Sequence, residues 1–182
     1  MDIAIIVALQ EEFPVKINPF PEYTFYTGIG KVNAAIAATR IVERYDPKVI
    51  INIGTAGSCL SKLQGLVECG VFIDRDIDEK LTQSKKIITD RNKAIISTGD
   101  KFITEKLDDC HLVDMESYAI AKVCHINDVK FKCYKYITDY VGNNSSEIWE
   151  ENIKHSHSLH LEYPYLVALL IMNHSILSMV LY

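Results

Sequence analysis

The sequence has five cysteines (Cys59, Cys69, Cys110, Cys124 and Cys133) but no Cys-X-X-Cys pair. An odd number at irregular spacings argues against a disulfide framework and against a thiolate zinc site. The expectation is a set of reduced, mostly buried cytosolic thiols. A basic run is also missing. Nineteen Lys and Arg are outweighed by 24 Asp and Glu, giving a net charge of −5. With acids in excess and no basic run, no nucleic-acid partner is expected. There is no GxxxxGK[ST], hence no P-loop, and no GxSxG, hence no elbow for a Ser-His-Asp hydrolase. Gly28-Ile29-Gly30-Lys31-Val32-Asn33 starts like a dinucleotide fingerprint, but Asn33 stands where a third small residue belongs. No cofactor is therefore expected. His155, His157 and His160 lack a carboxylate or cysteine at a matching position, so no metal site is expected.

The ends of the chain lack targeting features. Met1-Asp2 puts an acid where a secretory leader has basic residues, and the apolar run Ile3–Leu9 is too short for one. Tyr163–Tyr182 contains no Asp, Glu, Lys or Arg and has the length of a membrane span. Pro164, Asn173, His174 and two serines interrupt it, and nothing basic flanks it closely. The expectation is instead a terminal helix buried in the core or in a homodimer contact, because so large an exposed apolar patch is rare on a monomer. A cytoplasmic location follows from the same features.

What is present is the composition of a single globular domain over residues 1–182, with 48% hydrophobic and 24% charged residues. Ile3–Leu9 is a nearly continuous apolar run, suited to a central strand covered on both faces. Pro14, Pro19 and Pro21 punctuate a loop. Tyr23–Thr27 alternates weakly and ends in a glycine turn. Lys31–Tyr45 carries apolar residues at helical spacing and stops before Asp46-Pro47. Val49–Ile53 is a second apolar strand, closed by Gly54-Thr55-Ala56-Gly57. Strand, helix and strand with short joints predict a βαβ unit and parallel neighbours. Further strands are expected at Val71–Ile73, Ala94–Ser97 and Lys130–Thr138, with a polar turn at Asp90–Lys93. A helix is expected at Ser117–Cys124, and another starts near Asn144–Glu147. The sum is an α/β domain with helices on both faces of a sheet.

Polar residues gather at one edge of that sheet. Glu12, Thr55, Asp114, Glu116 and Asp139 all lie at the carboxyl end of a predicted strand or at a strand-to-helix joint, the edge where open α/β sheets bind ligands. Each has an ordinary alternative. In HLVDMESYAIAKVC either acid could favour a helix N-terminus, and Asp139 could close a turn. Several acids on one edge, without a lysine-rich counterpart or a metal spacing, point to acid–base chemistry on a neutral polyhydroxyl substrate.

These pieces occur within six longer stretches: MDIAIIVALQEEF, TGIGKVNAAIAAT, VIINIGTAGS, STGDKFI, VDMESYAIAKVC and YITDYVG. In that order they resemble the methylthioadenosine/S-adenosylhomocysteine nucleosidases, part of the purine nucleoside phosphorylase and uridine phosphorylase-like group, over most of Met1–Val141. The resemblance implies a shortened three-layer α/β/α sandwich around a mixed, largely parallel twisted sheet. It implies hydrolysis of a purine N-glycosidic bond, as in 5′-methylthioadenosine or S-adenosylhomocysteine, with release of adenine. By the same resemblance Glu12 activates the attacking water, and Thr55 replaces a family serine that holds it. Phe102 packs on the purine, and the backbone of Ile103 reads its edge. Met115 and Glu116 clamp the ribose, and Asp139 helps protonate the departing base at N7. Asp114 stands for a glutamate one carbon longer, and Lys135 stands near a family arginine. Ala8, Ile29, Ala56, Gly57 and Thr138 complete the implied binding set.

The chemistry has physical requirements. Asp139 must hold a proton when substrate is bound, so its pKa must be raised. Glu12 must stay an anion beside a cationic sugar, so the two carboxylates need different environments. A phosphorylase, the related alternative, brings arginines to phosphate, yet no arginine stands in the turn before Gly54. An inactive nucleoside-binding remnant is the third reading, because the chain is trimmed between Pro21 and Gly28 and compressed between Asp78 and Ser97. The residues do not identify the 5′ substituent.

Overall fold

A computed structural model describes residues 1–78, 86–142, 147–149 and 151–152. Its frame is an eight-stranded mixed sheet flanked by helices, an α/β sandwich of the phosphorylase/hydrolase-like type. Strand β1 (Ile3–Val7) is buried at every position, as its unbroken apolar run requires. It lies between β2 (Thr24–Tyr26) and β3 (Val49–Ser58), parallel to both. Helix α1 (Lys31–Tyr45) has the expected bounds. It carries the chain from β2 past β1 to β3, so the expected parallel unit is present with β1 inserted between its two strands. The helix ends at Asp46, in the left-handed region at φ 44°, just before Pro47.

The two faces of β1 and β3 are covered differently. Ala4, Ile6 and Ile50 share a cluster with Ala34, Ala38 and Ile41 of α1 and with Tyr118, Ile120 and Cys124 of α2 (Ser117–Ile126). Ile5, Val7, Ile51 and Ile53 point the other way, onto Phe13, Ile17, Phe20 and Tyr23 of the proline-punctuated segment. Helices α1 and α2 therefore lie on one face. The proline-punctuated segment, with a short 3-10 turn at Pro21–Tyr23, packs on the other. The residue stretches 143–146 and 153–182, with the expected helix start and apolar tail, lie outside the described residues.

Beyond β3 the sheet closes on itself. Strand β4 (Leu66–Asp74) pairs antiparallel with β8 (Lys130–Tyr140) through its first half and parallel with β6 (Ala94–Thr98) through its second. Strand β7 (Leu112–Asp114) joins β6 to the end of β3, and β8 runs beside β3 over its whole length. The short β5 (Lys86–Ile88) borders β4. The sequence expectation of Val71–Ile73 covered only the second half of β4. Gly70 hid the rest: a side chain there would meet the carbonyl of Asp90 at 2.3 Å, so the strand carries a glycine where composition signals a break.

Strand β8 also contains the irregularity that aims the site. Ile137 pairs with Ala56, but Gly57 pairs with Asp139. Thr138 is thus the extra residue of a β-bulge. Without it Asp139 would share Ile137's face, because side chains alternate. With it Asp139 turns to the opposite side.

Phe72 is fully buried and meets the Phe131 ring at a tilt of 57°, with centroids 5.0 Å apart. Phe72→Ala is expected to cost about 3–5 kcal/mol of stability in urea unfolding; a loss below about 1 kcal/mol would contradict this packing.

Candidate active site

The carboxyl ends of β1, β3, β4 and β8, with the joint after β7, open onto a cleft of about 620 Å³. Ala8, Glu12, Ile29, Thr55, Ala56, Gly57, Phe102, Ile103, Asp114, Met115, Glu116 and Asp139 all line it. Of the catalytic and binding residues expected from the sequence, Thr138 does not; its hydroxyl donates to Asp139 Oδ1 at 2.9 Å.

Glu12 is held in one orientation. The turn after β1 brings its side chain back, so that Leu9 N–H donates to Oε2 at 3.1 Å. The Thr55 N–H and hydroxyl both donate to Oε1, each at 2.8 Å. This close approach requires Gly54, since a Cβ there would lie 3.2 Å from both Glu12 Oε1 and Lys135 Nζ. Gly57 plays the same part for Asp139, whose Oδ2 lies 2.9 Å from where a Cβ would be. Three donors thus fix the Glu12 carboxylate in place. Asp139 has a different setting. Burial raises its pKa, opposed by the Thr138 hydroxyl, and the balance favours the protonated acid relative to an ordinary Asp.

The two acids of VDMES have separate tasks. Asp114 accepts Ser117 N–H at 2.9 Å and so caps α2 as a helix-start acid does. Its other partners are the Thr98 hydroxyl at 2.6 Å and Lys135 Nζ at 3.0 Å, all out of contact with solvent. Burial alone would raise the Asp114 pKa, but Lys135, Ser117 and Thr98 hold it below the usual carboxylate range. Lys135 in turn stays charged: burial opposes this, and Asp114, Cys133, Glu116 and Glu12 override it. Glu116 makes no side-chain cap on its own helix. Its Oε1 crosses to the start of α1 and accepts Gly30 N–H at 2.9 Å. Burial, with Asp114 and Glu12 nearby and Lys135 opposing, raises its pKa to about 8. Three buried carboxylates, Asp114, Glu116 and Glu12, thus act on one buried ammonium, and Glu116 is the one that holds its proton above the usual range.

Six further lining residues were not singled out: Leu9, Arg75, Lys101, Val113, Val141 and Trp149. Arg75 donates from its two terminal nitrogens to the carbonyls of Ser97, Asp114, Gly99 and Lys101. It thereby fastens the loop that presents Phe102 and Ile103. Trp149 donates its indole N–H to Thr55 Oγ1 at 2.9 Å and meets the Phe102 ring edge-on at 5.8 Å. Its being the one tryptophan in the chain, set among polar residues, was a usable signal. Arg75 sits within an acidic run and gave none. Among the described residues no group of three or more His, Cys, Asp or Glu is placed to hold a metal ion, and no helix is long and apolar enough to cross a membrane.

Comparison with known proteins bears on this arrangement. The Phosphorylase superfamily profile matches residues 21–81. The 5′-methylthioadenosine/S-adenosylhomocysteine nucleosidase of Anoxybacillus flavithermus is 30% identical over 83% of this chain and 90% of its own. That of Bacillus cereus strain G9842 is 30% identical over 69% of this chain and 71% of its own. Among solved structures, the Helicobacter pylori nucleosidase of the same name superposes with a TM-score of 0.80 at 18% identity, covering 94% of this chain and 98% of that one. The futalosine hydrolase of the same organism gives 0.75 at 18% identity, over 88% and 94%. These two likenesses concern the fold.

Two outcomes test the electrostatics. Lys135→Met leaves Asp114 buried without its cation and is expected to cost about 3–5 kcal/mol. Adding Asp114→Asn should recover most of that loss in urea unfolding, whereas simple additivity would contradict the pairing. Glu116 has a folded pKa of about 8 against 4.5 when unperturbed, so its contribution to stability is present below 4.5 and is lost as pH rises toward 8. Glu116→Gln should therefore gain on wild type between pH 5 and pH 8; a difference that stays constant with pH would contradict the shift.

Proposed function

From the premise that the chain belongs to the 5′-methylthioadenosine/S-adenosylhomocysteine nucleosidase family, we propose that Glu12 and Asp139 divide the work of cleaving a purine nucleoside. The enzyme is a nucleosidase: it hydrolyses the N-glycosidic bond of methylthioadenosine-like or adenosylhomocysteine-like nucleosides and releases adenine. The observation that carries the division of roles is the contrast between the two carboxylates. Glu12 accepts three hydrogen bonds from Leu9 and Thr55, while burial favours the proton on Asp139.

In this reading Glu12 takes a proton from water as the oxygen attacks the anomeric carbon, and its charge stabilises the cationic sugar. Thr55 fixes the carboxylate. Asp139 gives its proton toward N7, so that the base departs neutral. Phe102 supplies a ring for the purine, and the Ile103 backbone reads its edge. Glu116 accepts the ribose hydroxyls beside Met115. Two new donors favour its anion, so binding releases a proton from it. Hydrolysis rather than phosphorolysis is supported by Arg75, whose terminal nitrogens are already committed to four backbone carbonyls.

We further infer a homodimer of this single-domain chain in the cytoplasm. The exposed stripe Ile29, Val32 and Ile36 beside the cleft supports the contact, as does the uncharged run Tyr163–Tyr182.

Wild-type protein is expected to release adenine from methylthioadenosine at a rate that added phosphate leaves unchanged. Asp139→Asn should lower kcat by about 10²–10⁴-fold with the fold intact by circular dichroism. Chromatographic detection of adenine checks both. Phosphate-dependent release would overturn the reaction class, and wild-type kcat in Asp139→Asn would overturn the acid.

A further inference from the structure

Cys59 and Cys110 are 51 positions apart in the chain, yet their sulfurs approach to 3.8 Å. The contact is a product of the closed sheet: beside it, Cys59 N–H donates to the His111 carbonyl at 2.9 Å, continuing the β3–β7 ladder. Cys59 directly follows the strand that brings Thr55 and Gly57 to the cleft. Cys110 ends the loop that carries Phe102 and Ile103. Both cysteines are buried, but Leu60, Ser61, Asp108 and Asp109 next to them are exposed.

The two thiols are chemically unequal. The contact with Cys110, the Leu107 backbone and the Lys106 charge together outweigh burial and Asp109 at Cys59 and lower its pKa to about 6. The same bond, with burial, pushes the Cys110 thiol up. One is a nucleophile at neutral pH, and the other is a protonated partner within reach. A second pair, Cys69 and Cys133, lies directly opposed across β4 and β8. It sits in the core at 2% and 0% exposure, and burial and the Cys133 contact push the Cys69 thiol up. It supplies an internal control.

We propose that Cys59 and Cys110 form a hydroperoxide-reactive pair that closes reversibly into a disulfide, tying the end of β3 to the loop bearing Phe102 and Ile103. The Cys59 thiolate attacks the terminal oxygen of the hydroperoxide. The O–O bond breaks, the leaving oxygen takes a proton to become an alcohol, or water from hydrogen peroxide, and Cys59 becomes a sulfenic acid. Cys110 then loses its proton, and its sulfur attacks that of Cys59. Hydroxide leaves and takes the proton as water. Two thiols are oxidised by two electrons and one peroxide bond is reduced. The sulfurs must close from 3.8 Å to a bond of about 2.05 Å by side-chain rotation. A small-molecule thiol reverses the bond by exchange.

The test uses the full-length reduced protein, hydrogen peroxide in small excess, alkylation of residual thiols and peptide mass spectrometry. The expected result is one cross-linked peptide joining Cys59 to Cys110, lighter by two hydrogens, with Cys69 and Cys133 still alkylatable. The oxidised protein should melt several degrees higher, and dithiothreitol should reverse the change. Cys110→Ser should stop at a sulfenic acid on Cys59 that dimedone traps. Wild-type protein in which Cys59 and Cys110 both remain alkylatable, or which cross-links other cysteines instead, overturns the proposal. Adenine release plays no part in the readout, so failure here is distinguishable from failure of the nucleosidase reading.

Discussion

The ion pair between Lys135 and Asp114, 3.0 Å apart and sealed from solvent, is the constraint around which the cleft is organised. A buried ammonium is tolerable only beside buried carboxylates, and the reverse holds as well. Asp114 answers Lys135 directly. It also caps α2 through Ser117, and Ser117 reaches Asn52 of β3 at 3.1 Å, whose amide donates to the carbonyl of Ile6. The pair thus connects β8, β7, α2, β3 and β1. Lys135 also approaches the spot above Gly54 where Glu12 is held. Lys135 holds Asp114 below the usual carboxylate range, while burial beside Asp114 and Glu12 holds Glu116 above it. Burial raises Asp139 as well, so the acids of one cleft are separated by their surroundings.

Geometry reinforces the separation. The bulge at Thr138 turns Asp139 toward Gly57 and places the hydroxyl that touches it behind the strand. Glu116 makes no side-chain bond to the start of its own helix and reaches Gly30 instead, while Asp100 accepts the next amide, Lys31 N–H, at 2.8 Å. The start of α1 is therefore tied to both Glu116 and the loop that carries Phe102 and Ile103. Arg75 fixes the other side of that loop. The reactive cysteine pair lies at its far end, so the segment bearing Phe102 and Ile103 has one electrostatic anchor and one that thiol oxidation would make covalent.

Much of this was legible in the residues, because local patterns produced it. The unbroken apolar run of β1 and the spacing of Lys31–Tyr45 identify those elements, and the carboxyl-edge acids converge because strand ends converge in an α/β sheet. The resemblance carried the remaining cleft residues. What stayed hidden depends on pairings distant in the chain. The closure of β3, β8, β4, β6 and β7 into a ring leaves no periodic trace, and Gly70, required by the Asp90 carbonyl, made half of β4 look like a break. The task of Asp114 was visible only in part: its capping role follows from the helix start, but its ion pair needs the β8 register. Cys59 and Cys110 looked scattered for the same reason. Arg75 acts through backbone carbonyls, which no side-chain pattern records.

The central claim is that one cleft holds carboxylates in different protonation states. Carbon-detected NMR titration of protein labelled at its Asp and Glu carboxyl carbons, with signals assigned by single Asn and Gln substitutions, reads it directly. Asp114 is expected to stay ionised below the ordinary Asp range, Asp139 to titrate above it, and Glu116 to titrate near 8. Ordinary, indistinguishable midpoints for these three groups would contradict it.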